Sequence, residues 1–285
     1  MRLRARLKIL KDRLTGLVVL HMRPGLRAQL LADWTESGTS LPERSQPLFQ
    51  VLSKAIDAEY YAPGTTTLRR EALKALCMGS DSGVRWAQKY LKRGFPDHVT
   101  QEIGMFTYLE EALSSTTGET VHQLACCSGR EVAYYAQKYP QHDFIGSDVD
   151  REIVDWLRAQ WAGISNLRFE TLSIETSRSE DWENLSSTLL VASGGLHYMD
   201  HASLARFFSQ ARESAREILL SQPCDVAFRP NENSQSHPRI QLSWNHPYKA
   251  LLQNAGWTLK KSSEYIPSQH LTAKNYSAWG TFKTN

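Results

Sequence analysis

The sequence predicts an α/β protein in which a doubly wound, seven-stranded sheet follows an N-terminal helical region. Up to about Ser115 apolar residues recur at helical spacing, in segments broken by turn signals such as Pro63-Gly64, Gly79 to Gly83 and Gly94-Phe95-Pro96. After Gly118 short apolar runs alternate with helical stretches, the texture of strands joined by right-handed crossovers. The 285 residues are 41% hydrophobic and 22% charged, enough for a sizeable core. They contain no apolar run of about 18 residues and no collagen-like glycine period, which excludes a membrane channel and a fibre. The expected division is a basic amphipathic segment over 1–26, a helical region over 27–115 and the sheet domain over 116–285.

Residues 1–30 carry eight Lys and Arg against Asp12 alone, so the net charge of +3 leaves the remaining chain acidic. That balance argues against a dedicated nucleic-acid binder. Leu3, Leu7, Leu10, Leu14 and Leu17 form one stripe among these cations. Two readings stay open for residues 1–20: a helix packed on the body, or peripheral contact with an anionic membrane, where each cation contributes about 1 kcal/mol. Thr15, Gly16 and His21 interrupt the apolar run from Leu14 to Met22, against a secretory signal; a transit peptide shares the composition. Cys77, Cys126, Cys127 and Cys224 show neither a disulfide framework nor zinc spacing. A cytoplasmic protein is the expectation.

The clearest early helix opens near Asp97 and places Ile103, Phe106, Leu109 and Leu113 on one face. Strands are expected near 120–126, 142–148, 166–172, 187–193 and 216–221, with helices near 129–139, 150–162 and 201–215. A helix around Pro247 to Asn254, a strand from Trp257 and a last strand from Tyr276 complete the sheet. Tyr60, Tyr61, Trp86, Tyr90, Phe106 and Tyr108 supply core aromatics or a roof over a pocket.

A doubly wound sheet binds its ligand at the carboxyl ends of the strands. The first such end reads Leu124-Ala125-Cys126-Cys127-Ser128-Gly129, small side chains that let a ligand approach the backbone. The second strand ends at Asp148, 23 residues after Ala125, a spacing that suits a carboxylate receiving ribose hydroxyls. Asp150 is placed to cap the next helix, leaving Asp148 for a ligand.

These motifs resemble the class I S-adenosylmethionine-dependent methyltransferases, from about Gly118 to the carboxyl terminus. The Val-x-x-Leu-x-Cys-x-Ser-Gly run is similar to the family's first motif and Ile145 to Asp150 to its second. Leu167 to Glu170 resembles the third strand, Leu189 to Met199 the fourth strand with its loop, and Leu251 to Trp257 the corner before a final antiparallel pair. The resemblance implies a Rossmann-like methyltransferase sheet with S-adenosyl-L-methionine as cofactor. It implies that Ala125, Cys126, Cys127 and Gly129 line the methionine end, that Asp148 binds the ribose and that Val149 packs on adenine. Ser173 stands where many members place an acid near the adenine amino group, and Ser193 and Gly194 beside the sulfonium. The sequence departs from the family pattern where Ala125 and Cys127 replace glycines.

His197 follows the fourth strand and is the candidate general base, an imidazole suited to taking a hydroxyl proton; the alternative is a loop histidine satisfied by backbone. Tyr198, His237, Trp244 and His246 are candidates for binding a small polar or sugar-like acceptor, although such residues also populate ordinary loops. The fourth strand lacks the Asp/Asn-Pro-Pro-aromatic signature of enzymes that methylate exocyclic base nitrogens and the paired acids that hold a divalent metal. The expectation is therefore metal-independent O-methylation. No G-x-G-x-x-G follows the first strand, which argues against a nicotinamide dehydrogenase. The competing reading is a non-catalytic, methyltransferase-like binding or membrane-surface adaptor protein.

Overall fold

Strands form where short apolar runs alternate in facing, and their order sets the carboxyl edge on which the site is built. The structure, a computed structural model, describes residues 56–62, 64–66, 69–70, 73, 80–92, 95, 104–178, 180–181, 189–239, 242–266 and 273–282. The basic segment 1–26 and the part of the helical region up to residue 55 lie outside the described residues, and with them the membrane-surface and leader readings.

The chain separates into two units, residues 1–83 with 240–242, and residues 84–239 with 243–285. In the first, residues 56–60 are helical, with Ile56 and Tyr60 buried. The Arg70 guanidinium donates to the Tyr60 carbonyl at 3.0 Å, and the Leu242 N–H donates to Asp57 Oδ1 at 3.0 Å.

The second unit holds the sheet. Following α1 (Ser80–Lys92) and α2 (Gly104–Ser114), it runs β1 (Thr120–Leu124), α3 (Arg130–Lys138), β2 (Asp143–Asp148), α4 (Arg151–Gln160), β3 (Leu167–Thr171) and β4 (Leu189–Ser193). A 3₁₀ turn (Leu196–Tyr198) leads to α5 (His201–Ser214) and β5 (Glu217–Asp225). A two-residue ladder, β6 (His237–Pro238) with β7 (Trp244–Asn245), precedes α6 (Tyr248–Asn254), β8 (Thr258–Tyr265) and β9 (Ala273–Thr281). The seven-stranded sheet has the order β3-β2-β1-β4-β5-β9-β8. Strands β1 to β5 pair in parallel and β9 runs antiparallel to both β5 and β8. Chain order reverses between β1 and β4, so β1's carboxyl end opens on a switch point.

Both faces of the sheet are covered, and the alternation along the strands shows it. Leu190 and Ala192 of β4 and Ile218 and Leu220 of β5 join Phe207, Phe208 and Leu252 in one cluster. Leu189 and Val191, with Leu219, join Phe106, Leu109 and Leu113 of α2 and Val154 of α4 in the other. The period of two demanded by a pleated strand thus delivers one residue set to each layer. Helix starts follow their capping residues: Asp150 accepts from the Glu152 N–H at 2.9 Å, and Asp200 from the Ser203 N–H at 2.8 Å. Among the described residues no helix is long and apolar enough to cross a membrane.

Candidate functional site

The turn after β1 carries the most constrained backbone in the sheet domain. Ala125 and Cys127 sit at φ 49° and 50°, and Gly129 follows at 65°. Left-handed geometry in residues bearing Cβ costs about 1–3 kcal/mol each and persists only where neighbours over-determine it. Here they do: the Cys126 N–H donates to the Ser147 carbonyl at 2.8 Å, the Gly129 N–H to the Cys126 carbonyl at 2.8 Å, and the Cys127 N–H to Asp148 Oδ2 at 3.1 Å. The two positions where the sequence departs from glycine therefore keep a glycine-like path. At Gly129 a Cβ would come within 2.8 Å of Leu157 and 3.0 Å of Trp161, so only glycine fits.

Asp148 is not left wholly to a ligand. Its Oδ1 also accepts from the Asp150 N–H at 3.2 Å, so the carboxylate ties β2's end to the β1 turn. Each oxygen retains acceptor capacity. Burial raises its pKa, and the N–H groups of Asp150 and Cys127 pull the other way. Next to it Val149 is 67% exposed, an apolar platform at the carboxyl edge. The Leu172 N–H donates to the Asp148 carbonyl at 2.9 Å and extends the β2–β3 pairing, which brings Ser173 to the same edge. Cys126 turns inward and packs in the core cluster, while Cys127 stays half-buried. Burial, then the negative charges of Asp148 and Glu131, pushes the Cys127 thiol up to about 12, so it stays protonated.

Across the switch point, β4 ends at Ser193 and runs into Gly194 and Gly195, both at positive φ. A Cβ on Gly194 would meet nothing within 4 Å, whereas one on Gly195 would strike the Ala125 Cβ at 2.4 Å. The β1 turn and the β4 turn are thus in contact at one point and open at the next. Ser193, Gly194, Cys127, Asp148, Val149 and Ser173 border one continuous stretch of the strands' carboxyl edge.

His197, 8% exposed, lies in the 3₁₀ turn with its Nδ1 3.4 Å from Gln222 Oε1. The fully buried Gln222 donates both amide hydrogens to backbone, to Ala192 O at 2.9 Å and Gly194 O at 3.0 Å. Carbonyls only accept, so Gln222's NH₂ must face them and its oxygen must face His197. That arrangement puts a proton on Nδ1. The Tyr198 ring lies against His197, centroids 4.0 Å apart. Gln222 is a residue of this site that sequence reasoning misses; its one signal is an amide two positions after the apolar run Ile218 to Leu220.

The remaining candidates divide. His246 has no exposed surface: its Nε2 lies 3.1 Å from the Met199 carbonyl and its Nδ1 2.6 Å from Ser236 Oγ, which lies 2.8 Å from His201 Nδ1. Burial, with His197 nearby, lowers its pKa to about 3, so it is neutral with the proton on Nε2. His246 therefore braces the turn carrying His197 from behind and touches protein on all sides. Trp244 is half-buried and pairs with Pro238; His237 is exposed, its ring edge-on to Phe228 at 5.8 Å. Of the expected aromatic roof, Phe106 and Tyr108 are core, while Trp86 packs on Tyr90, whose ring lies under Arg130. Among the described residues no three His, Cys, Asp or Glu side chains come together to hold a metal ion.

No protein-family profile matches the sequence, and no curated protein does. Solved structures of similar shape include the N-terminal domain of EvdMO1 in the presence of SAH and D-fucose (TM-score 0.49, 15% identity, 72% of this chain and 98% of that one). Others are a SAM-dependent methyltransferase from Aquifex aeolicus (0.45, 13%, 68% and 97%) and the magnesium protoporphyrin IX methyltransferase of Synechocystis PCC 6803 with bound SAH (0.46, 11%, 79% and 91%). At this level of likeness the sheet order decides. The fold is a Rossmann-like methyltransferase sheet.

Two outcomes are expected. Gly195→Ala should destabilise the protein by about 1–3 kcal/mol, and Ala125→Gly in the same chain should restore part of it, because the clash is between those two Cβ positions; urea midpoints of the four members of the cycle measure this, and strictly additive effects would contradict it. The second concerns His122 and His246, both lowered to about 3 by burial. Their unfolded forms take up protons below about pH 6.5 while the folded forms do not, so stability falls from pH 6.5 to pH 5, by on the order of 1 kcal/mol per histidine per pH unit. Unfolding curves for wild type and His246→Gln at the two values check the sign: the variant's dependence should be the shallower.

Proposed function

We propose that the chain is an S-adenosylmethionine-dependent methyltransferase acting on a hydroxyl oxygen of a small polar or sugar-like acceptor. The observation that carries this reading is the β1 turn: Ala125 and Cys127 hold left-handed backbone against their intrinsic preference, locked by Asp148, beside an exposed Val149 and the open space at Gly194.

The lining fits an adenosyl sulfonium. Asp148 would take the ribose hydroxyls on its remaining acceptor sites, Val149 the adenine face, Ser173 the adenine edge, and Ala125, Cys127 and Gly129 the methionine end. When bound, S-adenosylmethionine supplies an electrophilic methyl group beside Ser193 and Gly194. Cys127 stays a neutral thiol there, and a thiol held protonated is a poor nucleophile, which protects the turn from being alkylated.

His197 performs the proton chemistry. With its Nδ1–H directed at Gln222, His197 would take the proton of the acceptor hydroxyl, and S-adenosylmethionine bound at this edge would supply the methyl group. Gln222 sets this tautomer because its own hydrogens are committed to Ala192 and Gly194. Tyr198, packed on His197, would bound the acceptor side.

One experiment separates the roles. His197→Ala should lower kcat about 10²–10⁴-fold while leaving S-adenosylhomocysteine affinity unchanged, and Asp148→Ala should weaken that affinity at least about tenfold. Calorimetry and turnover on the same preparations read both. Unchanged turnover in His197→Ala removes the base, and wild-type protein that binds no S-adenosylhomocysteine returns the chain to the adaptor reading.

A further inference from the structure

Outside the proposed cofactor lining, Arg239 is a charge held by a fixed carboxylate. It follows β6 directly, its N–H donates to the Ser243 carbonyl at 2.8 Å, and its side chain is 14% exposed. Of a guanidinium's five N–H donors, the one on Nε is directed to Asp225 Oδ1 at 3.0 Å. Asp225 is itself fixed by Asn245, whose Nδ2 donates to Oδ2 at 2.9 Å and whose Oδ1 accepts the Asp225 N–H at 2.8 Å. Among the described residues Nη1 and Nη2 have no hydrogen-bond partner, and neither is sealed from solvent. Asp225 thus orients the guanidinium and leaves its two-nitrogen edge open.

This edge belongs to the same end of the sheet as His197. Asn245 holds Asp225, and the next residue, His246, holds the Met199 carbonyl at the end of the 3₁₀ turn. Two consecutive residues, about 3.8 Å apart along the backbone, therefore brace the arginine on one side and the His197–Tyr198 turn on the other. Tyr198 reports the proximity: burial and then Tyr90 raise its phenol, and the Arg239 charge acts against them.

We propose that Arg239 is the specificity-determining residue for a carboxylate on the acceptor, so that the substrate is a small hydroxycarboxylate anchored by its acid group while its hydroxyl faces His197. This rests on the methyltransferase reading above and deepens it. The planar edge of a guanidinium matches a carboxylate in two parallel hydrogen bonds. Because Asp225 already balances one charge, a monoanion suits this position better than a dianionic phosphate.

The test uses the full chain saturated with S-adenosylhomocysteine. Glucuronate is titrated against glucose, and 4-hydroxybenzoate against 4-hydroxybenzamide, by calorimetry, with wild type, Arg239→Gln and Arg239→Lys. At least one acid should bind wild type about tenfold or more tightly than its neutral counterpart. The preference should vanish in Arg239→Gln and fall in Arg239→Lys, which keeps the charge and loses the fork, with S-adenosylhomocysteine affinity unchanged in both. Acids that bind no better than their neutral counterparts, acids that do not bind, or a preference that survives in Arg239→Gln overturns the proposal. Loss of S-adenosylhomocysteine binding in wild type instead overturns the reading beneath it.

Discussion

Everything at the working edge of this protein depends on holding two residues with side chains in a backbone conformation that glycine would adopt freely. Ala125 and Cys127 stay at positive φ because the Asp148 carboxylate and the Ser147 carbonyl receive the turn's N–H groups. Gly195 makes room for the Ala125 methyl. The strain, on the order of 4 kcal/mol for the pair, is small against the burial of two core layers, so the fold tolerates it. Its consequence is geometric: the β1 turn stays low, and the carboxyl ends of β1, β2 and β4 share an open border.

A second constraint works on the acceptor side through the short β6–β7 ladder. Asn245 of the ladder and His246, the residue after it, are buried and bonded to β5's end and to the 3₁₀ turn. A two-residue strand has little stability of its own, so it is fixed by what it braces. His197 is aligned by Gln222 from the neighbouring strand and steadied from behind by His246. Removing His246's ring would free the turn rather than empty a contact with the acceptor.

Much of this was legible in the sequence, for identifiable reasons. Strands β1 to β4 follow from short apolar runs, and Asp150 announces its helix because capping is local. The glycine departures at Ala125 and Cys127 marked the unusual turn. What escaped was non-local. Asp148's hold on the Cys127 N–H, Gln222's hold on His197 and Arg239's pairing with Asp225 link residues 14 to 25 positions apart. No periodicity encodes such meetings. The two-residue β6–β7 ladder is too short to leave a pattern in the sequence. β5 was expected to end near Ser221, yet it continues through Pro223 to Asp225. Its partner β4 ends opposite Ser221, so a missing N–H at Pro223 costs no ladder bond on that side.

The central claim is that the border of the β1 turn receives an adenosyl group. A structure of the wild-type chain grown with S-adenosylhomocysteine tests it most directly. The account predicts the ribose hydroxyls on Asp148, the adenine over Val149 and the sulfur beside Gly194. Ligand density anywhere else on the protein, or none at saturating concentration, would contradict it.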